Sequence, residues 1–119
     1  MAKLMLVEDD TTMRSLLKTL LEIEGYEVIG CVETSKEKII NSIKENQPDM
    51  LILDVHLRGS NGLDIVKDLR QDNQTFDLPV LMSSGMAMED QCLQAGANTF
   101  LLKPYMPDEL IQKLRHYVN

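Results

Sequence analysis

Four short stretches of the chain end in side chains that can do chemistry. Glu8, Asp9 and Asp10 follow the apolar run Leu4 to Val7, and Asp54 follows Met50 to Leu53. Ser83, Ser84 and Gly85 follow Val80 to Met82, and Lys103-Pro104 follows Phe100 to Leu102. Carboxylates, a hydroxyl and an ammonium are the parts needed to move a phosphoryl group beside a divalent cation, where catalysis is positioning plus charge neutralisation. Two carboxylates ~4 Å apart repel by about 4 kcal/mol at an effective dielectric of 20. Glu8, Asp9 and Asp54 sum to -3 and Lys103 returns +1, leaving the -2 that one divalent cation neutralises. Oxygen donors of this kind suit Mg²⁺ or Mn²⁺, and the backbone carbonyl of His56 is a further candidate ligand. Asp10 is equally well explained as an acid at a helix start. That explanation does not reach Asp54, because no helix is expected before about Asn61. Asp54 is therefore either the nucleophile of phosphoryl transfer or a plain metal-binding carboxylate. Ser84, or the backbone N–H of the Gly85 loop, would donate to a phosphoryl oxygen. Pro104 restricts Lys103 to extended backbone and so aims its side chain; the bond between them is open to either isomer.

These residues need elements that bring them together. Five apolar runs, Leu4 to Val7, Val28 to Val32, Met50 to Leu53, Val80 to Met82 and Phe100 to Leu102, alternate with segments of helical period. Four of the runs lack polar alternation, as strands buried on both faces do. The second, with Gly30 and flanking glutamates, reads as an edge strand. Met13, Leu16, Leu17 and Leu20 predict the inner face of a first helix, closed by a left-handed cap at Gly25. Thr34-Ser35-Lys36-Glu37 reads as a capping box before a helix with Ile39, Ile40 and Ile43 inside and Pro48 beyond its end. A third helix carries Leu63, Val66 and Leu69, and a fourth runs from about Ala87 to Ala95 before Gly96. Pro107, Asp108 and Glu109 open a fifth, whose buried stripe is Leu110, Ile111, Leu114 and Tyr117. Five strands alternating with five helices predict an α/β fold, a doubly wound parallel sheet with right-handed crossovers. The expected order is the flavodoxin-like 2-1-3-4-5, with ligands at the carboxyl ends of the strands. All four chemical stretches then meet on one rim.

Size and composition agree with a single domain over residues 1–119. The 119 residues include 44% hydrophobic and 26% charged side chains, which argues against disorder. Twelve basic residues against nineteen acidic ones leave a net charge of -7, a poor start for direct nucleic-acid binding. Cys31 and Cys92 have no metal-ligand spacing and make no disulfide framework, as in a reducing compartment. No stretch approaches the ~20 apolar residues of a membrane span, so a cytoplasmic location is expected.

Taken in order, Glu8-Asp9, Asp54, Ser84 and Lys103-Pro104 on a five-strand alternation resemble the receiver domain of bacterial two-component response regulators. The resemblance spans essentially the whole chain and includes Leu51-Ile52-Leu53-Asp54, Pro79 to Gly85, Gln94-Ala95-Gly96-Ala97, Leu102 to Tyr105 and the loop glycine Gly62. It implies a phosphorelay role: Asp54 is the phosphoacceptor, receiving the phosphoryl group of a phosphohistidine on a sensor histidine kinase or phosphotransfer protein. It further implies that Asp9, Asp54 and the His56 carbonyl bind Mg²⁺ directly and Glu8 through water. Lys103 would pair with the phosphoryl group, and the family counterpart of Pro104 follows a cis bond. Ser84 and Phe100 match the switch pair, which remodels a protein-binding face of the fourth helix, fifth strand and fifth helix. Two positions depart from the family pattern. Arg58 stands where proline is common, and Met106 where a capping Asp or Ser is common.

Two other functions share these features. A Mg²⁺-dependent phosphohydrolase also uses an aspartyl nucleophile after an apolar strand, but normally has a second Asp two residues later, where this chain has His56. A degenerate receiver would serve only as a binding module, against which stand the intact acidic pair, Asp54, Ser84 and Lys103. The expectation is a phosphoacceptor signalling domain, not an enzyme, with no output domain and no membrane partner.

Overall fold

A computed structural model describes all residues, 1–119. Its elements are β1 (Lys3–Val7), α1 (Thr11–Ile23), β2 (Glu27–Cys31), α2 (Lys36–Asn46), β3 (Met50–Asp54), β4 (His56–Leu57), β5 (Ser60–Asn61), α3 (Gly62–Arg70), β6 (Val80–Ser84), α4 (Glu89–Ala95), β7 (Thr99–Leu102) and α5 (Pro107–Arg115). The main sheet has the order β2-β1-β3-β6-β7, all parallel. Counting only its own strands, that is the expected 2-1-3-4-5. β4 and β5 form a separate small antiparallel hairpin immediately after β3.

All five residues of β3 and of β6 are buried, because helices cover both faces of the sheet. Two cores result. One face gathers Met5, Ile39, Ile43, Leu53, Val66, Met82, Cys92 and Phe100. The other gathers Leu4, Leu6, Leu17, Leu21, Ile52, Leu81, Leu101, Leu110 and Leu114. Successive strand residues alternate between the two, as a pleated strand requires.

The structure corrects several local expectations. In α1 the buried residues are Leu17 and Leu21; Leu16 is largely exposed, and Met13 lies at the surface with it. A heptad-like apolar stripe wider than the contact leaves one of its edges uncovered. The N-cap of α2 is Ser35, whose hydroxyl accepts from the Lys38 amide, and not Thr34. Either residue type can cap a helix, and Ser35 is the one that adjoins the first helical residue, Lys36. α4 begins two residues late, at Glu89, because Met88 at its N-cap offers no side-chain bond. Tyr117 lies beyond the end of α5, partly exposed, and donates its hydroxyl to the Asn98 carbonyl at 3.3 Å. Met106 caps α5 without a side-chain bond, but Glu109 accepts from its amide at 3.1 Å.

Arg70, at the end of α3, ties two loops together. Its guanidinium donates to the carbonyls of Gly96, Thr75 and Phe76 and to Asn98 Oδ1. Burial pulls its pKa below the ordinary arginine value, with Asp77 acting in the opposite sense. Gly96 holds φ +118°, the left-handed cap that ends α4 against this side chain.

Candidate functional site

The carboxyl ends of β1, β3, β6 and β7 do meet on one rim. Glu8 follows β1, Asp54 closes β3, Ser83 and Ser84 close β6, and Lys103 follows β7. Lys103 Nζ donates to Glu8 Oε1 at 3.1 Å and to Asp54 Oδ2 at 3.0 Å. Both carboxylates are nearly buried, while the lysine keeps about a quarter of its side chain in solvent. Charges leave water only at high cost, and a shared ammonium offsets that cost for both acids at once.

The other oxygen of Asp54 takes a hydrogen bond from Ser83, not Ser84. Ser83 Oγ lies 2.6 Å from Asp54 Oδ1. The reason is register: Asp54 pairs directly with Ser83 across β3 and β6, so both side chains leave the sheet on the same face. Ser84, one residue on, is buried but turned elsewhere. Its hydroxyl accepts from the Met86 amide at 3.0 Å and contacts Met88 Sδ at 3.8 Å. By sequence, Ser84 is the hydroxyl expected at a phosphoryl oxygen, and Ser83 carries no expected role. Local sequence carries no sign of the pairing offset: β3 and β6 are equally long, yet Asp54 pairs with Ser83 and Ser84 overhangs the pair by one residue.

The three acids expected to share a cation are divided between two partners. Glu8 and Asp54 share Lys103, whereas Asp9 Oδ2 accepts from the Arg58 amide. No group of three His, Cys, Asp or Glu side chains is gathered as a metal nest. Position 58 has an amide to donate because it is not proline, which secures the β4–β5 turn to the β1–α1 loop. Asp10 is the N-cap of α1 and accepts from the Met13 amide at 2.9 Å, as the helix-start explanation held. His56 sits exposed on the hairpin opposite Asn61. The two carboxylates at this point, Asp54 and Glu8, keep a net negative charge against the one ammonium of Lys103, and oxygen donors of that charge fit a hard divalent cation.

Gly62 shapes the same corner. Its amide donates to the Val55 carbonyl at 2.7 Å. A Cβ there would run into the Asp54 carbonyl oxygen and come within 3.0 Å of Met82 Cε. Gly85 stands in open space above the rim. Phe100 is buried in the core beside Met82, its register partner. The Lys103–Pro104 bond is cis. Behind it Tyr105 packs with Met13, Leu16 and Pro107 around an apolar cavity of about 550 Å³. Burial raises the Tyr105 phenol above its usual pKa; Lys103 opposes this and Asp54 adds to it.

The family model for the response regulator receiver domain matches residues 4–115. The chain belongs to the response regulator receiver domain family. Receiver domains are the signalling modules of two-component systems, and magnesium coordination and phosphoryl transfer are general features of the family. The receiver is 40% identical over 118 residues to the transcriptional regulatory protein CpxR of Escherichia coli K12, covering 97% of this chain and 48% of that protein. It thus spans about half the length of the curated relatives it matches. A crystal structure of a putative response regulator from Chloroflexus aurantiacus superposes with a TM-score of 0.88 at 36% identity, covering 98% of this chain and 96% of the other. The receiver domain of the sensor histidine kinase PA1611 of Pseudomonas aeruginosa shares the fold, with a TM-score of 0.86 at 23% identity over 98% and 96% of the two chains. That protein was crystallised with a magnesium ion coordinated in its active-site cleft. No helix here is long and apolar enough to cross a membrane.

Proposed function

We propose that Asp54 is the phosphoacceptor of this receiver domain and takes the phosphoryl group of a phosphohistidine on a sensor kinase or phosphotransfer protein. One observation carries the reading: a nearly buried carboxylate at the mouth of the central strand, with Lys103 on one oxygen, Ser83 on the other and Glu8 on the same ammonium. A carboxylate oxygen of Asp54 attacks phosphorus in line, the P–N bond breaks, and its electron pair returns to the imidazole. Lys103 then has a phosphoryl oxygen to pair with, next to Asp54. Ser84 would swing from Met86 and Met88 to donate to another, and Phe100 would follow into the space vacated.

Asp9, Asp54 and the His56 carbonyl would hold magnesium, with Glu8 acting through water. The ion's contribution is neutralisation of charge on the phosphoryl oxygens. Asp9 Oδ2 is engaged by the Arg58 amide, which leaves Oδ1 for that role.

The output is a change in protein binding on the face formed by α4, β7 and α5, and the chain itself does not engage nucleic acid, in keeping with its net charge of -7. It is a phosphoacceptor and not an enzyme acting on a separate substrate. A cytoplasmic location belongs to the same proposal and suits two free, buried cysteines.

The deciding experiment is incubation with acetyl phosphate and magnesium, with intact mass measured before and after. The wild type is expected to gain one phosphoryl group, and to gain none in EDTA. Asp54→Asn is expected to gain none in either. A phosphorylated Asp54→Asn variant would reject the assignment.

A further inference from the structure

We propose that Ser83 is a second catalytic hydroxyl of the site, one that shortens the life of the phosphorylated state. The inference rests on Asp54 being the phosphoacceptor. Ser83 is 1% exposed, and its hydroxyl reaches Asp54 Oδ1 at 2.6 Å, the short distance of a charge-assisted O–H···O bond. The contact is built into the sheet, because Asp54 and Ser83 are register partners in adjacent strands. It does not depend on a flexible loop.

The effect falls on one direction of the chemistry. In hydrolysis a water oxygen bonds to phosphorus and the P–O bond to the Asp54 oxygen facing Lys103 breaks. The electron pair of that bond returns to the carboxylate and delocalises onto Oδ1. The water proton leaves with inorganic phosphate. The transition state of phosphoryl transfer is loose, so the departing oxygen carries much of its final charge while the attacking atom has changed little. Ser83 donates to the oxygen that receives half of that departing charge. It therefore favours loss of the phosphoryl group strongly, and its influence on the attack of Asp54 on a donor is small. Ser84 has no such contact, since its hydroxyl is engaged with Met86 and Met88.

The test loads the wild type and Ser83→Ala, Ser83→Cys and Ser83→Thr variants with acetyl phosphate and magnesium. The donor is then removed, the magnesium kept, and the phosphorylated mass followed with time. Ser83→Ala is expected to decay about tenfold more slowly, the scale of one hydrogen bond to a charged group. Ser83→Thr restores the hydroxyl and should restore the wild-type decay, which a packing role would not explain. Ser83→Cys, a weak donor of similar size, should also be slow, and it decides the matter if the alanine variant does not fold. Decay of Ser83→Ala or Ser83→Cys at the wild-type rate overturns the inference, as does a threonine variant as slow as alanine. A wild type that never loads overturns the phosphoacceptor assignment and this inference with it; a wild type that loads while the variants behave alike overturns only the inference.

Discussion

Lys103 is the residue on which the rim's charge balance turns. It answers two nearly buried carboxylates, so its loss leaves both without a cation. Removing one partner of a fully buried pair costs several kcal/mol. Solvent reaches Lys103, so Lys103→Met should cost about 1–2 kcal/mol, read as a lower urea midpoint with an unchanged m-value. Adding Asp54→Asn to that variant should recover part of the loss, because one of the uncompensated charges goes with it; a double-mutant cycle isolates the coupling. At this scale the acids and the lysine were legible in the sequence, since each type stands at the end of an apolar run. Which hydroxyl meets Asp54 was not, because Ser83 and Ser84 differ in neither type nor surroundings and only pairing across the sheet separates them.

Elements explain the rest of the corner. α3 starts where β5 ends, and Gly62 lets its first turn press against the Asp54 carbonyl. Gly62→Ala should therefore destabilise the protein by about 2 kcal/mol, as overpacking of a tight core does. A lower melting temperature and reduced loading with acetyl phosphate, the latter because the Asp54 backbone must shift, would register it. The strands were legible because burial on both faces leaves unbroken apolar runs. Helix edges were less so. Leu16 obeys the same spacing as Leu17, and nothing local says which the core will cover. Met88 carries no capping signal, so local sequence does not mark the start of α4 at Glu89, and the Tyr117 ring continues the α5 pattern past the point where the helix stops.

The whole molecule hides both of its thiols. Cys92 sits on the buried face of α4, and burial pushes its pKa from 9.0 to about 11. A raised thiol pKa means the unfolded chain loses its proton first. Stability from this group is complete below about pH 9 and is lost as pH rises from 9 toward about 11. Urea unfolding across that range should show the decline, and Cys92→Ala should flatten it. The rim also links distant parts of the chain: the contact between Lys103 and Glu8 spans 95 residues, and that between Lys103 and Asp54 spans 49. A polypeptide emerging from a ribosome thus exposes its acids long before the ammonium that answers them. Until the fifth sheet strand has docked the rim is incomplete, so a nascent receiver cannot assemble its candidate site before most of its chain is made.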